Sequence, residues 1–542
     1  MSESGKNYVD LEAAIWGGLD SAGIHERFEA IEGLKPKGFG LNGGQILRPS
    51  PRLLQDLSAR AFHDIAFYQD EEELEGFRKI ALDPGSSPAE RFVAQSLIKN
   101  AIVASAGEFP LCQDTGTATC YAWRGNNVLS DFDEAAALAE GARSAYADNA
   151  LRYSQVVPST VYQEKNSGNN LPAQIEISHS PRPGYRFLFV AKGGGSSNKT
   201  FFFQETKALL NPASLREFLK TNVPKLGVSA CPPYHLAVAI GGTSPELNLK
   251  ALKLATTGYV GGGLSGAGLM RDKETEELVM QVARETGLGA QFKGSHLAMA
   301  ACVLRLPRHA ASCPVSIGVS CNAHRNVRAY MDDSGVYLER RARDPARFLA
   351  QGTDPAQLSG GVRINLNQPM SRIAADCAKL RAGDLAFLSG PVVVARDMVH
   401  ARLAELLAQG AELPPWFKDH PIFYAGPAKT PQGHVIGSFG PTTAGRMDAY
   451  IPAFMSQGAS LVSIAKGNRS EAVRAACQRH GGTYLAAIGG AAALIAQENI
   501  LSDELLDYPE FGMEAARLIT LKDLPVFAVM DSAGGDLYQS SH

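Results

Sequence analysis

The sequence has little that would commit it to a membrane, a nucleic acid or an oxidising compartment. Its 52 Lys and Arg nearly balance 55 Asp and Glu, for a formal net charge of -3. No field of one sign is therefore available to gather nucleic acid or an anionic lipid surface. No apolar run approaches the ~20 residues that a helical bilayer span needs. The most apolar stretch, "YLAAIGGAAALIA" at 484–496, is short and broken by glycine. The eight cysteines are scattered over 542 residues with no CxxC pair, which argues against a disulfide scaffold and against the close ligand pairs of most zinc sites. The first residues, "MSESGKNYVDLEAAIWGG", have neither the charged-then-apolar layout of a signal peptide nor the arginine richness of a transit peptide. No repeat of fixed period is visible. A cytoplasmic protein with no membrane or nucleic-acid partner is expected, long enough for about two to four domains.

What is present is strongly patterned. The first ~50 residues are glycine-rich and weakly periodic and read as an irregular arm. Ser50 caps and Pro51 opens a helix whose apolar stripe is Leu54, Leu57, Ala61 and Ile65. Ser87 and Glu90 have capping-box spacing, Pro88 suits the first turn, and Gly107 marks the stop. The runs "TATCYAWRG", "AQIEIS", "RFLFVAKGGG" and "HLAVAIGGT" read as strands, with "SLREFLKTNV" and "KETEELVMQVARET" as helices. Residues 344–361 are rich in Asp, Pro, Gly and Gln and are taken as a linker. Beyond them, strand and helix alternate, as in an α/β layer. The fold expected is mixed α/β in two domains: a helix-rich α+β unit over 1–343 and an α/β unit over 362–542.

Three groups of residues could carry chemistry. The run "GGGSSNKT" (193–200) fails as a phosphate-binding P-loop, because Asn198 stands where glycine must precede the lysine. Its glycines still permit close backbone approach to a ligand, or simply a tight turn. Cys112, Cys231, Cys313 and Cys321 each sit beside turn-forming residues. Taken singly, each reads first as a buried small hydrophobe; thiolates gathered from distant loops would suit an iron–sulfur cluster better than zinc. Arg396 follows a strand, Thr442, Thr443 and Arg446 stand at a helix start, and Lys466 ends a strand. Strand C-termini and helix N-termini open on one side of an α/β layer, so these groups could line one mouth. Each cation alone equally suits a solvated surface.

The motifs "CQDTGT", "NALRYSQ", "NLPAQI", "AKGGGSSNKT", "ACPPYH", "IGGTS", "RLPRHAASCP", "VSCNAHRN", "YAGPAKTP", "GPTTAGRMD", "AKGNRS" and "HGGTYL" occur in this order from about residue 50 to the end. Together they resemble the class I, iron–sulfur-dependent fumarate hydratases. The resemblance implies two domains, a homodimer, and an active site between the domains that holds a [4Fe–4S] cluster. By motif matching it implies Cys112, Cys231 and Cys321 as cluster ligands, with one iron left open as a Lewis acid. It likewise implies Gln113, Arg152, Gly195, His309, Arg396, Thr443, Arg446 and Lys466 as contacts to a small dicarboxylate. Thr442 matches the catalytic base, with Asp114 as its partner, and Asp114 is itself a rival for that role. This chain departs from the family pattern at Ala310, where glycine is usual after the motif histidine.

Fumarate and S-malate are the implied substrate pair, with mesaconate or tartrate as chemical rivals. An electron-transfer or sensor protein would also carry a cluster, but it would not require the Arg, Lys and Thr-Thr set. The cysteine assignment is directly testable. Cys321→Ser should lose its iron and all fumarate turnover, whereas Cys313→Ser should keep iron; iron counting on anaerobically purified variants distinguishes them, and the opposite order would mean that the wrong cysteine has been chosen.

Overall fold

A computed structural model describes residues 7–539, except 18, 20, 42–43, 262–263, 265–266 and 351–359. It is a mixed α/β protein built around three large sheets. Half of the expected linker 344–361 and part of the glycine-rich segment 258–270 thus lie outside the described residues.

A six-stranded sheet is assembled from Phe28–Ala30, Val336–Glu339, Asn326–Met331, Tyr185–Lys192, Thr117–Gly125 and Gln174–Ser180, in that spatial order. The helices Pro51–Phe67 and Glu134–Asp148 cover one of its faces. Ser50 caps the first of these through the Leu53 N–H, as its position before Pro51 predicts. A five-stranded sheet runs Met270–Arg271, Ala298–Arg308, Tyr234–Gly242, Cys313–Ser320, Phe201–Glu205. Leu188 and Val190 of the first sheet share a core with Ala237, Leu252 and Leu304 of the second region. The helices Pro212–Asn222 and Lys273–Glu285 supply side chains to the core of the five-stranded sheet.

The first fifty residues differ from expectation. Instead of an irregular arm, the described part holds the helices Leu11–Trp16 and Ser21–Arg27 and three short strands. Ala14 and Ile15 are buried, Trp16 stacks on Phe28 at 5.9 Å, and the Ile15 carbonyl accepts from Arg328. These elements are too short to show a period in the sequence; they are held by tertiary burial rather than by local propensity.

The third sheet contains seven strands: Val362–Asn365, Leu385–Val394, Ile422–Phe423, Val462–Ala465, Thr483–Ala487, Ala516–Met530 and Ile500–Asp507. The first five are mutually parallel, as strand–helix alternation predicts. The long strand Ala516–Met530 pairs antiparallel with both Thr483–Ala487 and Leu385–Val394, so the sheet closes on itself. The helices Glu71–Leu82 and Pro88–Ala104, early in the chain, share their core with this late sheet: Phe92 and Phe292 both pack on Phe527. The predicted capping box of Ser87 and Glu90 is formed in both directions.

Asn100 ties these parts together. Its amide donates to the Leu111 carbonyl at 3.0 Å, and its oxygen accepts from Ala493 and Leu494 at 2.9 and 3.1 Å. Asn100→Ala would leave three buried backbone groups without this partner, at a cost of about 3 kcal/mol. A fall in the thermal midpoint, with secondary structure intact below it, is the expected measurement.

Candidate active site

The sheet registers explain why distant motifs meet. In the six-stranded sheet Thr117 pairs with Lys192. The Cys112–Asp114 loop, just before one strand, therefore faces the glycine turn just after the other. Gly116 has φ +84°, and a Cβ there would stand 2.9 Å from the Lys192 backbone, so only glycine suits this approach. The neighbouring strand starts at Asn326, paired with Val190, which delivers Cys321 and Arg325 to the same end. In the five-stranded sheet His235 pairs with Ser320, which brings Cys231 and Cys321, each just beyond that pair, together. The Asn322 N–H donates to the Cys231 carbonyl at 3.1 Å.

The seven-stranded sheet supplies the opposite wall. Arg396, Lys466 and Gly489 each follow the C-terminal end of a parallel strand. Thr443 forms an isolated bridge with Lys466, and the Thr442 N–H donates to the Tyr424 carbonyl at 2.7 Å. The expected helix start at Thr442–Arg446 is a single 3-10 turn, Ala444–Met447. Between the walls lies a cleft of about 250 Å³. Gln113, Asp114, Arg152, Gly195, Arg396, Thr442, Thr443, Arg446 and Lys466 all line it. Gln113 spans the two walls, donating to the Pro441 carbonyl at 3.1 Å. His309 does not line it: it sits exposed in the turn between Ala298–Arg308 and Cys313–Ser320, its Nδ1 accepting from Ala311 at 3.2 Å.

The electrostatics are those of an anion site. Asp114 accepts from the Gly194 N–H at 2.9 Å and pairs with Arg152 at 3.2 Å. Burial raises its carboxyl, but Arg152, Arg325, the Gly194 N–H and Lys466 outweigh burial and hold it at about 2, fully ionised at neutral pH. Arg152 is placed by Thr115, whose hydroxyl both accepts from its N–H and donates to its carbonyl at 3.0 Å. Burial lowers Arg396 to about 10 against the pull of Glu514, so it too stays charged. Arg446 donates to the Thr442 hydroxyl and pairs with Asp397 at 3.3 Å.

All eight cysteines are free thiols. Lys466 Nζ donates to Cys231 Sγ at 2.7 Å, and a Cβ on Gly489 would stand 2.4 Å from the same sulfur. Burial pushes Cys231 up to about 11, opposed by Lys466; burial also raises Cys112, opposed by Arg325. Cys112 and Cys321 both act on Arg325, a buried side chain whose Nε and Nη1 have no hydrogen-bond partner. Among the described residues, these three sulfurs do not form a group within 4.8 Å of one another, as the ligands of one ion would. Three thiols spread more widely and flanked by buried cations fit a multinuclear, negatively charged iron–sulfur group.

Two family models match the chain. "Fumarate hydratase (Fumerase)" covers residues 55–330 and "Fumarase C-terminus" covers 335–541. The chain belongs to the class I fumarate hydratase family. It is 44% identical to Fumarate hydratase 2 of Leishmania major over 92% of this chain and 89% of that protein. It is 44% identical to the aerobic class I fumarate hydratase of Escherichia coli K12 over 92% and 91%. A third relative, the mitochondrial Fumarate hydratase 1 of L. major, is 45% identical over 91% of each chain.

Sequence reasoning passed over several residues that organise this family's site here. Arg325 and Asn322 lie inside the quoted "CNAHRN" without a role assigned. Asn322 and Gln291 each donate to the Pro232 and Gly489 carbonyls, at 2.9–3.2 Å, clamping the Cys231 turn to the late sheet. Nothing in the local pattern around Gln291 signals this. Gly489→Ala should displace Cys231 Sγ or Lys466; iron per chain should fall severalfold while circular dichroism remains that of the folded protein.

Proposed function

We propose that this chain catalyses the reversible hydration of fumarate to S-malate, using a [4Fe–4S] cluster held by Cys112, Cys231 and Cys321. The observation that carries this is one small cleft in which Arg152, Arg396, Arg446 and Lys466 converge with the Thr442 hydroxyl and an ionised Asp114. Lys466 links that cleft to a thiol. When bound, the cluster supplies Lewis-acid polarisation through an iron without a protein ligand.

The remaining chemistry belongs to the chain. Hydration adds a proton to one olefinic carbon and hydroxide to the other, and the reverse reaction removes the proton beside a carboxylate. That step concentrates charge on the carboxylate, and preorganised cations are what lower its cost. Arg152, Arg396, Arg446 and Lys466 serve as carboxylate contacts, with Gln113, Thr443 and the Gly195 backbone orienting the dianion. The proton at carbon passes through Thr442 Oγ, which is a poor base unaided. The Arg446 guanidinium on that oxygen favours its more negative form. Asp114, held near 2, keeps Arg152 in place and receives a proton only transiently.

We place the domain boundary within 344–361, with 1–343 and 362–542 as the two units, the helices Glu71–Leu82 and Pro88–Ala104 of the first packing on the late sheet; the two family matches part a little earlier, between 330 and 335. A homodimer belongs to the same proposal, and the exposed His309 turn would make its substrate contact across that interface. A cytoplasmic location is part of the same proposal. No helix among the described residues is long and apolar enough to cross a membrane.

Anaerobically purified protein should be brown and should turn over fumarate faster than mesaconate or either tartrate. A colourless active protein would overturn the cluster assignment, and a faster tartrate rate the substrate. Thr442→Ala should cut kcat by roughly 10²–10⁴-fold with little change in KM. An effect confined to KM would reassign Thr442 to binding.

A further inference from the structure

A second polar cavity, of about 460 Å³, shares no lining residue with the cleft. Among the described residues, one group of His, Cys, Asp or Glu has its ligand atoms within 4.8 Å of one another: Glu73, His235 and His324, all lining this cavity. Glu73 is 2% exposed, its Oε1 contacts His235 Nε2, and its Oε2 is buried without a hydrogen-bond partner. Asp70 and Glu339, which also line the cavity, are satisfied: Asp70 by Arg341 at 2.8 Å and the Glu72 N–H, Glu339 by Arg328 at 2.6 Å. Glu73 is thus a deeply buried carboxylate with a lone-pair side left over, which is costly unless something cationic takes it.

The histidines are arranged to supply that partner. The rings of His235 and His324 lie parallel with centroids 3.8 Å apart. His324 Nε2 is 3.1 Å from the Thr257 carbonyl. A carbonyl only accepts, so Nε2 carries the hydrogen and the lone pair of His324 is on Nδ1, beside the Ser320 hydroxyl at 3.0 Å. An imidazole oriented through its N–H on a backbone carbonyl is the arrangement that metal-bound histidines adopt. Two imidazoles and one carboxylate form a borderline donor set, suited to zinc and its first-row neighbours rather than to calcium or magnesium.

We propose that Glu73, His235 and His324 form a mononuclear site for a divalent transition-metal ion, distinct from the cysteine site, with water from the cavity completing the coordination. The ion binds the Glu73 carboxylate, Oε2 included, together with His235 Nε2, and the proton shared between Oε1 and Nε2 is released to solvent. It would join the helix Glu71–Leu82 to the strand Tyr234–Gly242 and to the loop that follows Cys321.

The test uses cluster-loaded protein under argon, equilibrated with zinc chloride and desalted, with zinc, iron and sulfide counted. About one zinc per chain is expected, with iron and sulfide unchanged. X-ray absorption at the zinc edge should show N/O ligands at ~2.0–2.1 Å and no sulfur shell at ~2.3 Å. Glu73→Gln and His235→Ala should each reduce zinc to background. Absence of retained zinc, a sulfur shell, or full retention in both variants would overturn the site. If a variant also loses iron, the absorption spectrum of the unsubstituted protein decides alone.

Discussion

The arrangement depends on positive charge held out of water beside sulfur. Arg325 is 5% exposed and has two nitrogens without hydrogen-bond partners, while Lys466 Nζ rests on Cys231 Sγ. Isolated buried cations cost several kcal/mol, so the surrounding structure must give them anionic partners and then prevent those partners from moving. Asp114 does this for Arg152 and Arg325. The sulfurs of Cys112, Cys231 and Cys321 would do it for Arg325 and Lys466 as thiolates. The amides of Asn322 and Gln291 then fix the turn that carries Cys231. A substrate dianion and a negatively charged cofactor are natural occupants of such an environment.

Sheet register achieves the convergence without long loops. Two pairs of antiparallel neighbours, Thr117 with Lys192 and His235 with Ser320, place four functional segments side by side. The strand Cys313–Ser320 belongs to one sheet and Asn326–Met331 to another, and the short stretch between them contains Cys321, His324 and Arg325. One crossover therefore serves both the cleft side and the second cavity. Glycines at 116 and 489 keep the backbones close enough for these contacts.

The sequence carried the helices with caps and stripes, the alternation of the late α/β layer, and the side of that layer on which Arg396, Thr442 and Lys466 fall. These features are local, or follow from the direction of parallel strands. The early helices Leu11–Trp16 and Ser21–Arg27 were illegible because six or seven residues show no reliable period. The packing of Glu71–Leu82 and Pro88–Ala104 on the late sheet was also hidden, since an apolar stripe does not name what it packs against. At the site, ordered motifs identified every charged residue that lines the cleft except Lys199. Arg325 and Gln291 remained invisible because their roles arise from burial and from contacts about 200 residues away in sequence. His309 shows the converse: its motif is plain, yet its side chain stands apart from the cleft of its own chain.

The closing strand of the seven-stranded sheet has a consequence for how the chain is made. Leu385–Val394 acquires its antiparallel neighbour only when Ala516–Met530 is present. During synthesis the apolar faces of the intervening strands, and of the early helices that share their core, must wait for that last partner. Contacts of such sequence separation form slowly and leave strand edges exposed meanwhile. The wall of the cleft bearing Arg396, Thr442 and Lys466 is thus completed only after a strand more than 120 residues further along has paired.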